Sequence, residues 1–201
     1  MSNTLISFAV AVTTSSGNSG DNPLPLPRCC FYAGSFLRSL RLDYCSAIYD
    51  GLPACRLKCL NRVLRTAARL VGRIPKFSRV SWYVRDVLHW LPYPQRIAYR
   101  VSALVRRCTE GLAPPYLREL CCPTVTVPRR GSLRSAVQAE FLVPRARTAI
   151  RQRRAFSVAG PVTWNGLPVA LRLTSIGHSA QFFSSLKTVL FDRGWAGSAP
   201  E

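Results

Sequence analysis

The sequence has little negative charge, little lysine and no long apolar run. Its 201 residues include 9 Asp and Glu against 28 Lys and Arg, which gives a formal net charge of +19. Lysine occurs only at Lys58, Lys76 and Lys187, so arginine supplies 25 of the 28 cations. Every apolar run is shorter than the ~18 residues that a membrane-spanning helix needs. These absences exclude a membrane span and predict a soluble, arginine-rich chain that binds polyanions.

The arrangements that carry catalysis are also missing. The aspartates are scattered, without the paired carboxylates that hold two metal ions about 4 Å apart. The sequence has no glycine-rich phosphate loop and no G-x-S-x-G nucleophile motif. We interpret His89 as a structural residue, and His178 as a helix cap or a solvent-facing residue. We therefore predict that the chain is not an enzyme and has no catalytic residue, no metal ligand and no cofactor.

The 8 cysteines leave three alternatives open. No C-x-x-C pair of the kind found in zinc sites is present. We favour free, buried cysteines, which are common small core residues. The two weaker alternatives are a disulfide framework and half of a metal site at Cys55 and Cys59. Residues 5–12 are apolar but lack the basic flank of a signal peptide, so we predict an intracellular protein, nuclear or cytoplasmic.

What is present indicates a folded protein, because 48% of the residues are apolar and only 18% are charged. Residues 1–33 are rich in Ser, Gly and Pro and are predicted to form a disordered leader. Residues 34–120 are predicted to form a basic, bundle-like helical module. Residues 121–201 are predicted to form a small α+β segment. The predicted fold class is therefore mainly α.

Periodicity and punctuation by Gly and Pro predict the individual elements. In the helical module, helices are expected at about 34–51, 53–72, 78–90 and 94–111. In the C-terminal segment, alternating apolar residues predict a short strand at 133–143. Short helical pieces are expected at about 155–164 and 181–191.

Two of these helices oppose a cationic face to an apolar face. At 100° per residue, the apolar face of helix 53–72 comprises Leu57, Leu60, Val63, Leu64, Ala67, Ala68 and Val71. The opposite face, within an arc of about 80°, comprises Lys58, Arg62, Arg65, Arg69 and Arg73. On helix 94–111 a stripe of Ile97, Val101, Leu104, Val105 and Cys108 is opposed by Arg96, Arg100 and Arg107. A C-terminal arm, whose pattern fits a second strand equally well, adds Arg145, Arg147, Arg151 and Arg153.

These faces predict a nucleic-acid ligand. Between residues 51 and 139 there are 17 Lys and Arg but only three acidic residues, so the stripes lack the usual neutralising partners. Guanidinium groups hold phosphates through paired hydrogen bonds, and the released counterions give affinity that is independent of sequence. Five aromatic residues lie in the same region and would either complete the core, which we favour for each one, or stack on unpaired bases: Trp82, Tyr83, Trp90, Tyr93 and Tyr99. We expect RNA or DNA as partner and no membrane, since the apolar faces are needed for helix packing.

Several short motifs resemble, in order, the region after the polymerase domain of LINE-class, jockey-like non-LTR retrotransposon reverse transcriptases. They span about 36–191 and read LDYCS, GLP, AARL, LHWLP, QRI, LAPPYL, LRS, VPR, RAFS, WNGLP and LKTVLF. The family's endonuclease and polymerase domains are missing, so no catalytic residue is carried over. The sequence also departs from the family where Leu64 and Arg65 replace a Gln-Asn pair, and again at 78–83. The resemblance implies a helical region near the polymerase thumb that helps to hold template RNA and target DNA.

We therefore predict a non-catalytic, retrotransposon-derived fragment with sequence-independent affinity for RNA or DNA. Three alternatives stay open: a protein-interaction remnant, whose partner would include a full-length retroelement polymerase; a remnant with no selected activity; and a piece of a longer reading frame. The sequence assigns no oligomeric state.

Overall fold

The computed structural model describes residues 45–126, 137–145, 154–174 and 178–196, which belong to one compact unit. In these ranges the chain is mainly helical, as predicted. The α-helices are α1 (Ala54–Gly72), α2 (Tyr93–Thr109), α3 (Pro115–Arg118), α4 (Phe156–Asn165), α5 (Val169–Arg172) and α6 (Ser179–Trp195). Two 3-10 helices (Ser46–Tyr49 and Thr124–Thr126) and a π-helix (Tyr83–Val87) complete the described elements.

Helix α1 confirms the helix predicted at 53–72. Pro53 precedes it with an extended backbone (φ −57°, ψ 144°), a conformation that its ring favours. After Gly72 the chain turns into the left-handed conformation at Arg73 (φ 51°), and the Ile74 N–H donates to the Arg69 carbonyl at 3.0 Å. Both ends therefore lie where proline and glycine predicted them.

Helix α2 is the central element, and its bounds are close to the predicted 94–111. It packs against α1, α4, α6 and the 3-10 helix Ser46–Tyr49. A Cβ added at Gly160 of α4 would lie 3.2 Å from Val105 Cγ2 of α2. The absence of a side chain at Gly160 therefore lets the two helices approach closely.

The largest core cluster joins α2 to the C-terminal helices. Val105, Trp164, Phe182 and Leu186 are all at most 2% exposed, and the rings of Trp164 and Phe182 stack with centroids 5.7 Å apart. Helices α4 and α6 confirm the helical pieces predicted at 155–164 and 181–191, although α6 is longer than predicted. This cluster contains residues from both sides of position 120. The boundary predicted there between two segments of the chain stays a prediction.

The helix predicted at 78–90 is wrong in its start and its type. It begins at Ser81 and continues as the π-helix, in which the Leu88 N–H donates to the Tyr83 carbonyl at 2.9 Å. His89 then adopts a left-handed conformation (φ 48°). The wider turn of the π-helix brings two consecutive residues, Tyr83 and Val84, into one core cluster with Ala68 of α1. The regular helix predicted from the sequence does not anticipate that both are buried.

The strand predicted at 133–143 is wrong for its described part, residues 137–143. In that part Val137 is helical and residues 138–139 form a turn, and the β contact is an isolated antiparallel bridge between Phe141 and Pro123. On one edge the segment bonds to residues 122–124, through Thr124 N–H to the Glu140 carbonyl and Leu142 N–H to the Cys122 carbonyl, both at 2.9 Å. On the other edge the Asn165 side chain takes the place of a partner strand: its Oδ1 accepts from the Phe141 N–H, and its Nδ2 donates to the Phe141 carbonyl, both at 2.9 Å. Trp164 Nε1 also donates to the Ala139 carbonyl at 3.0 Å.

Of the helix predicted at 34–51, the described part holds the 3-10 helix Ser46–Tyr49. Left-handed residues lie on either side of it, Cys45 (φ 54°) and Gly51 (φ 70°), so the chain makes a tight turn before α1. Residues 34–44 and the leader predicted at 1–33 lie outside the described residues.

Candidate nucleic-acid interface

Helix α1 and the residue that directly follows it carry a row of cations, which we call the α1 stripe (Lys58, Arg62, Arg65, Arg69 and Arg73). The first three and Arg73 are exposed. Arg73 follows Lys58 by 15 positions, which corresponds to about 22 Å at 1.5 Å per residue. The helix places Lys58, Arg62, Arg65 and Arg69 on one side of a single element, and Arg73 follows directly after its end.

The opposite side of α1 fixes the direction of the stripe. Leu64, Ala67 and Ala68 are buried at 8% exposure or less, whereas the partly buried Leu57 and Leu60 pack on the cluster around Tyr93. In addition, Asn61 Oδ1 accepts a hydrogen bond from the Tyr93 N–H at 2.9 Å. These contacts attach α1 to α2 along the side that faces away from the cations.

The apolar face is narrower than the sequence predicts. Val63, assigned to it, is 50% exposed, and Leu70 on the same edge is 46% exposed. The reason is that α1 packs chiefly on α2 and the π-helix, which cover one side and leave this edge open. An exposed apolar edge therefore runs beside the α1 stripe.

Arg69 differs from the other residues of the stripe. Its Nη2 donates to the Ser78 carbonyl at 3.2 Å, and its side chain is partly buried. Its Nε is buried without a hydrogen-bond partner among the described residues. Arg69 therefore also has a structural role, because it holds the loop after α1 against the helix.

The sequence segment that contains the α1 stripe has no acidic residue. Between residues 51 and 85 there is no Asp or Glu, and there are nine cations: Arg56, Lys58, Arg62, Arg65, Arg69, Arg73, Lys76, Arg79 and Arg85. The next residue, Asp86, accepts from Arg85 Nε at 2.6 Å. On the other flank, burial raises the pKa of the Asp50 carboxyl, which opposes ionisation. The positive charge of α1 is therefore uncompensated within its own segment.

The cationic face predicted on α2 is divided between two roles. Arg100 and Arg107 are exposed and line a pocket of about 210 Å³. Arg96 is partly buried, since its Nε donates to the Leu91 carbonyl at 3.0 Å and its guanidinium lies 5.7 Å from the centre of the Trp90 ring. The α2 face thus presents Arg100 and Arg107, whereas Arg96 secures the turn that precedes the helix.

Arg106 is a structurally important arginine that is not predicted from the sequence. It is 2% exposed, pairs with Glu110 at 2.8 Å, and donates from Nη1 to the Thr174 carbonyl at 2.8 Å. Its guanidinium also lies 5.0 Å from the centre of the Phe182 ring. The i,i+4 spacing of Arg106 and Glu110 was the available signal, but the partners at 174 and 182 depend on the tertiary fold.

Only one residue of the predicted C-terminal arm can be placed. Arg145 is exposed at the end of the range 137–145. Arg147, Arg151 and Arg153 lie outside the described residues, so their contribution to the interface stays a prediction.

The aromatic residues separate into core and surface. Tyr83 and Tyr93 are buried, and Trp90 and Tyr99 are partly buried, as favoured for each. Trp82 instead is 54% exposed, and Phe77, which the sequence analysis did not single out, is 94% exposed. Both follow α1 in the chain.

The remaining candidates for chemistry are dispersed. His89 Nδ1 donates to the Arg85 carbonyl at 2.9 Å, and its ring contacts Phe191, whereas His178 is exposed at the start of α6. The described cysteines are free, but only Cys108 and Cys121 are buried, so the expectation of mostly buried cysteines is wrong for the other four: Cys45, Cys55, Cys59 and Cys122. In the described ranges, no group of three or more His, Cys, Asp or Glu is placed to hold a metal ion.

Comparisons of the chain with protein-family models, with curated proteins and with solved structures found no match. Among the described helices, none has the length and apolar character needed to cross a membrane.

Proposed function

We propose that this chain is a non-catalytic, retrotransposon-derived fragment that binds RNA and DNA without sequence preference through its arginine-rich helix faces. The observation that carries the proposal is the α1 stripe, in which Lys58, Arg62, Arg65 and Arg73 are exposed within a segment that has no Asp or Glu from residue 51 to 85. Arg100 and Arg107 would supply a second contact surface.

The chemistry of the stripe favours a phosphate backbone over a single small anion. Its cations are spread over about 22 Å, a length that spans many phosphates, since duplex DNA carries one charge per ~1.7 Å of axis. Arginine holds phosphate through a planar pair of donors. Such contacts give affinity but no base selectivity, because phosphates are the same in every sequence.

The retrotransposon origin is supported by the ordered motifs along about 36–191. Some of their residues have structural roles in the chain: Trp164 and Asn165 of the WNGLP motif hold Ala139 and Phe141, and Leu91 of LHWLP is buried. A shared set of core and loop contacts would keep such motifs together in a folded module. The proposed role of that module is to hold nucleic acid.

A salt titration of nucleic-acid binding tests the proposal. Each phosphate contact contributes about −0.9 to the slope of log affinity against log salt on duplex DNA and about −0.7 on a single strand. We expect the double variant Arg62→Glu/Arg65→Glu to make this slope shallower by about 1.4–1.8 and to weaken every sequence alike. Arg69 is left unchanged, because its side chain donates a hydrogen bond to the Ser78 carbonyl. A substitution there would alter the fold as well as the binding of nucleic acid.

The matched control is Arg118→Glu/Lys187→Glu, which makes the same change of net charge at exposed positions on α3 and α6. We expect it to retain most of the wild-type slope. A flat dependence of affinity on salt, or an equal loss in the two double variants, would contradict the assignment to the α1 stripe.

A second candidate function is a protein-interaction remnant, and the exposed apolar edge of α1 favours it. Leu57, Leu60 and Leu64 of the predicted apolar face are at least partly covered in the structure, whereas Val63 and Leu70 are exposed. Size-exclusion chromatography with amide exchange distinguishes the candidates. If this edge is the functional surface, Val63→Ser/Leu70→Ser abolishes self-association or polymerase binding and leaves nucleic-acid affinity unchanged.

A further inference from the structure

We infer that residues 73–82, which we call the aromatic segment, bind unpaired bases, so that the ligand of the α1 stripe is single-stranded nucleic acid. The stripe would hold the phosphates, and the rings of Phe77 and Trp82 would stack on bases. This inference rests on the proposed function and names the class of nucleic acid.

Phe77 presents the most exposed large apolar side chain of the described residues, at 94%. Lys76 Nζ lies 5.7 Å from the centre of its ring. A single exposed apolar residue is ordinary on a protein surface. A ring that stays open to solvent between cations, however, has the composition of a base-stacking site, in which an aromatic face contacts the base and a cation the phosphate.

Trp82 supplies a second ring, and this one is held on a packed element. It is 54% exposed, and its ring makes an edge-to-face contact with the Tyr83 ring, with centroids 5.6 Å apart and planes at 79°. Tyr83 itself is buried in the cluster with Ala68 and Val84. Trp82 therefore loses less conformational freedom on binding than a ring on a free loop would.

The aromatic segment is attached to α1 at two points. Arg69 Nη2 donates to the Ser78 carbonyl at 3.2 Å, and Val80, at 2% exposure, packs in the cluster with Ala68. Phe77 follows Arg73 by four positions, so their Cα atoms are at most about 14 Å apart. A strand whose base lies on Phe77 thus has its neighbouring phosphates within reach of the end of the α1 stripe.

Charge selects the occupant of this surface. The aromatic segment contains Arg73, Lys76 and Arg79 and no acidic residue. An apolar protein partner would have to bury these cations without counter-charges, which is costly. A single-stranded polyanion supplies both the phosphates and the flat apolar faces. In a duplex the bases are stacked on one another and offer no free face.

The experiment compares three probes of equal length: a single-stranded oligothymidine, a strand with the same phosphates but abasic sites, and a duplex. We expect the wild-type chain to bind the thymidine strand about fivefold or more tighter than the abasic strand. Phe77→Leu should reduce this preference and leave affinity for the abasic strand and the duplex within about twofold. Trp82→Leu should act likewise, and Trp82→Phe should restore part of the preference.

The control variant is Tyr116→Leu, which removes a ring that is 66% exposed on α3, away from the aromatic segment in sequence. It should retain the full preference. Because Phe77 is almost wholly exposed, Phe77→Leu should unfold at the wild-type temperature, and it remains decisive if Trp82→Leu does not fold.

Equal affinity of the wild-type chain for thymidine and abasic strands would overturn base stacking while leaving the α1 stripe intact. An equal loss on all three probes in Phe77→Leu would also overturn it, because the lost contact would then not involve bases. Failure of every probe to bind in a salt-dependent way would instead refute the proposed function itself. Competition by polyglutamate as strong as by the thymidine strand would identify an acidic peptide as ligand and overturn the inference.

Discussion

Comparing the variants Arg106→Ala and Arg107→Ala distinguishes a structural arginine from an interface arginine at adjacent positions. The side chains of Arg106 and its partner Glu110 are only 3% and 7% exposed, with 2.8 Å between Nε and Oε1. Arg107, the next residue of α2, is exposed. Arg106→Ala leaves the carboxylate of Glu110 buried without its partner and removes the hydrogen bond to the Thr174 carbonyl.

The expected loss is large compared with the stability of the whole protein. Breaking a buried ion pair by removing one partner costs about 3–5 kcal/mol, whereas a domain has about 5–15 kcal/mol in total. For a protein of this size a loss of about 3 kcal/mol lowers Tm by roughly 6–12 °C. Arg107→Ala should change the free energy of unfolding by less than about 0.5 kcal/mol and should weaken nucleic-acid binding.

Thermal unfolding followed by circular dichroism, with the salt titration in parallel, measures both effects. Replacing both partners, as Arg106→Met/Glu110→Leu, should recover much of the stability, because no unpaired charge then stays buried. A decrease of less than about 2 °C for Arg106→Ala, or equal decreases for the two single variants, would refute the reasoning.

Two further predictions concern packing and thiol chemistry. Gly72→Ala should lower Tm, because a Cβ there would lie 2.7 Å from the Tyr83 ring; a wild-type Tm would show that the ring can move aside. Burial raises the pKa of the Cys121 thiol to about 12, and that of Cys108 is also raised. At pH 8 iodoacetamide should therefore modify the exposed Cys122 much faster than either buried thiol, as mass spectrometry would detect. Since the folded state holds these protons more tightly than the unfolded state, their contribution to stability should fall as pH rises from about 9 towards 12; equal labelling of Cys121 and Cys122 would contradict this assignment.

Those features of the interface that depend on local helix geometry can be predicted from the sequence, whereas those that depend on distant contacts cannot. The bounds of α1 follow from Pro53 and Gly72, and the spacing of Arg62 and Arg65 places them on one side, because helix geometry is local. The strand expected at 133–143 illustrates the opposite case. Its described part satisfies the Phe141 backbone through Asn165, which lies 24 residues away in the chain, and alternation of apolar residues contains no information about such a partner.

The roles of the individual arginines were decided by the fold. In the sequence, nothing distinguishes Arg69, Arg96 and Arg106 from the other arginines of their helices. In the structure each donates to a backbone carbonyl, that of Ser78, Leu91 and Thr174 respectively. The last of these partners is 68 residues distant. A helical pattern assigns a face to a residue but does not identify the element that packs there.

The sequence by itself determined that the charge of residues 51–85 is positive and is not balanced by acidic residues. This segment contains nine cations and no Asp or Glu, which can be counted without knowledge of the fold. The sequence also determined that the chain is mainly helical, because periodicity is a local property. Only the tertiary structure decided which cations stay exposed on α1, and that Phe77 and Trp82 are exposed while Tyr83 and Tyr93 are buried. The physical reason is that burial depends on neighbours brought together by the whole chain, whereas charge and helical phase depend on the residue and its nearest turns.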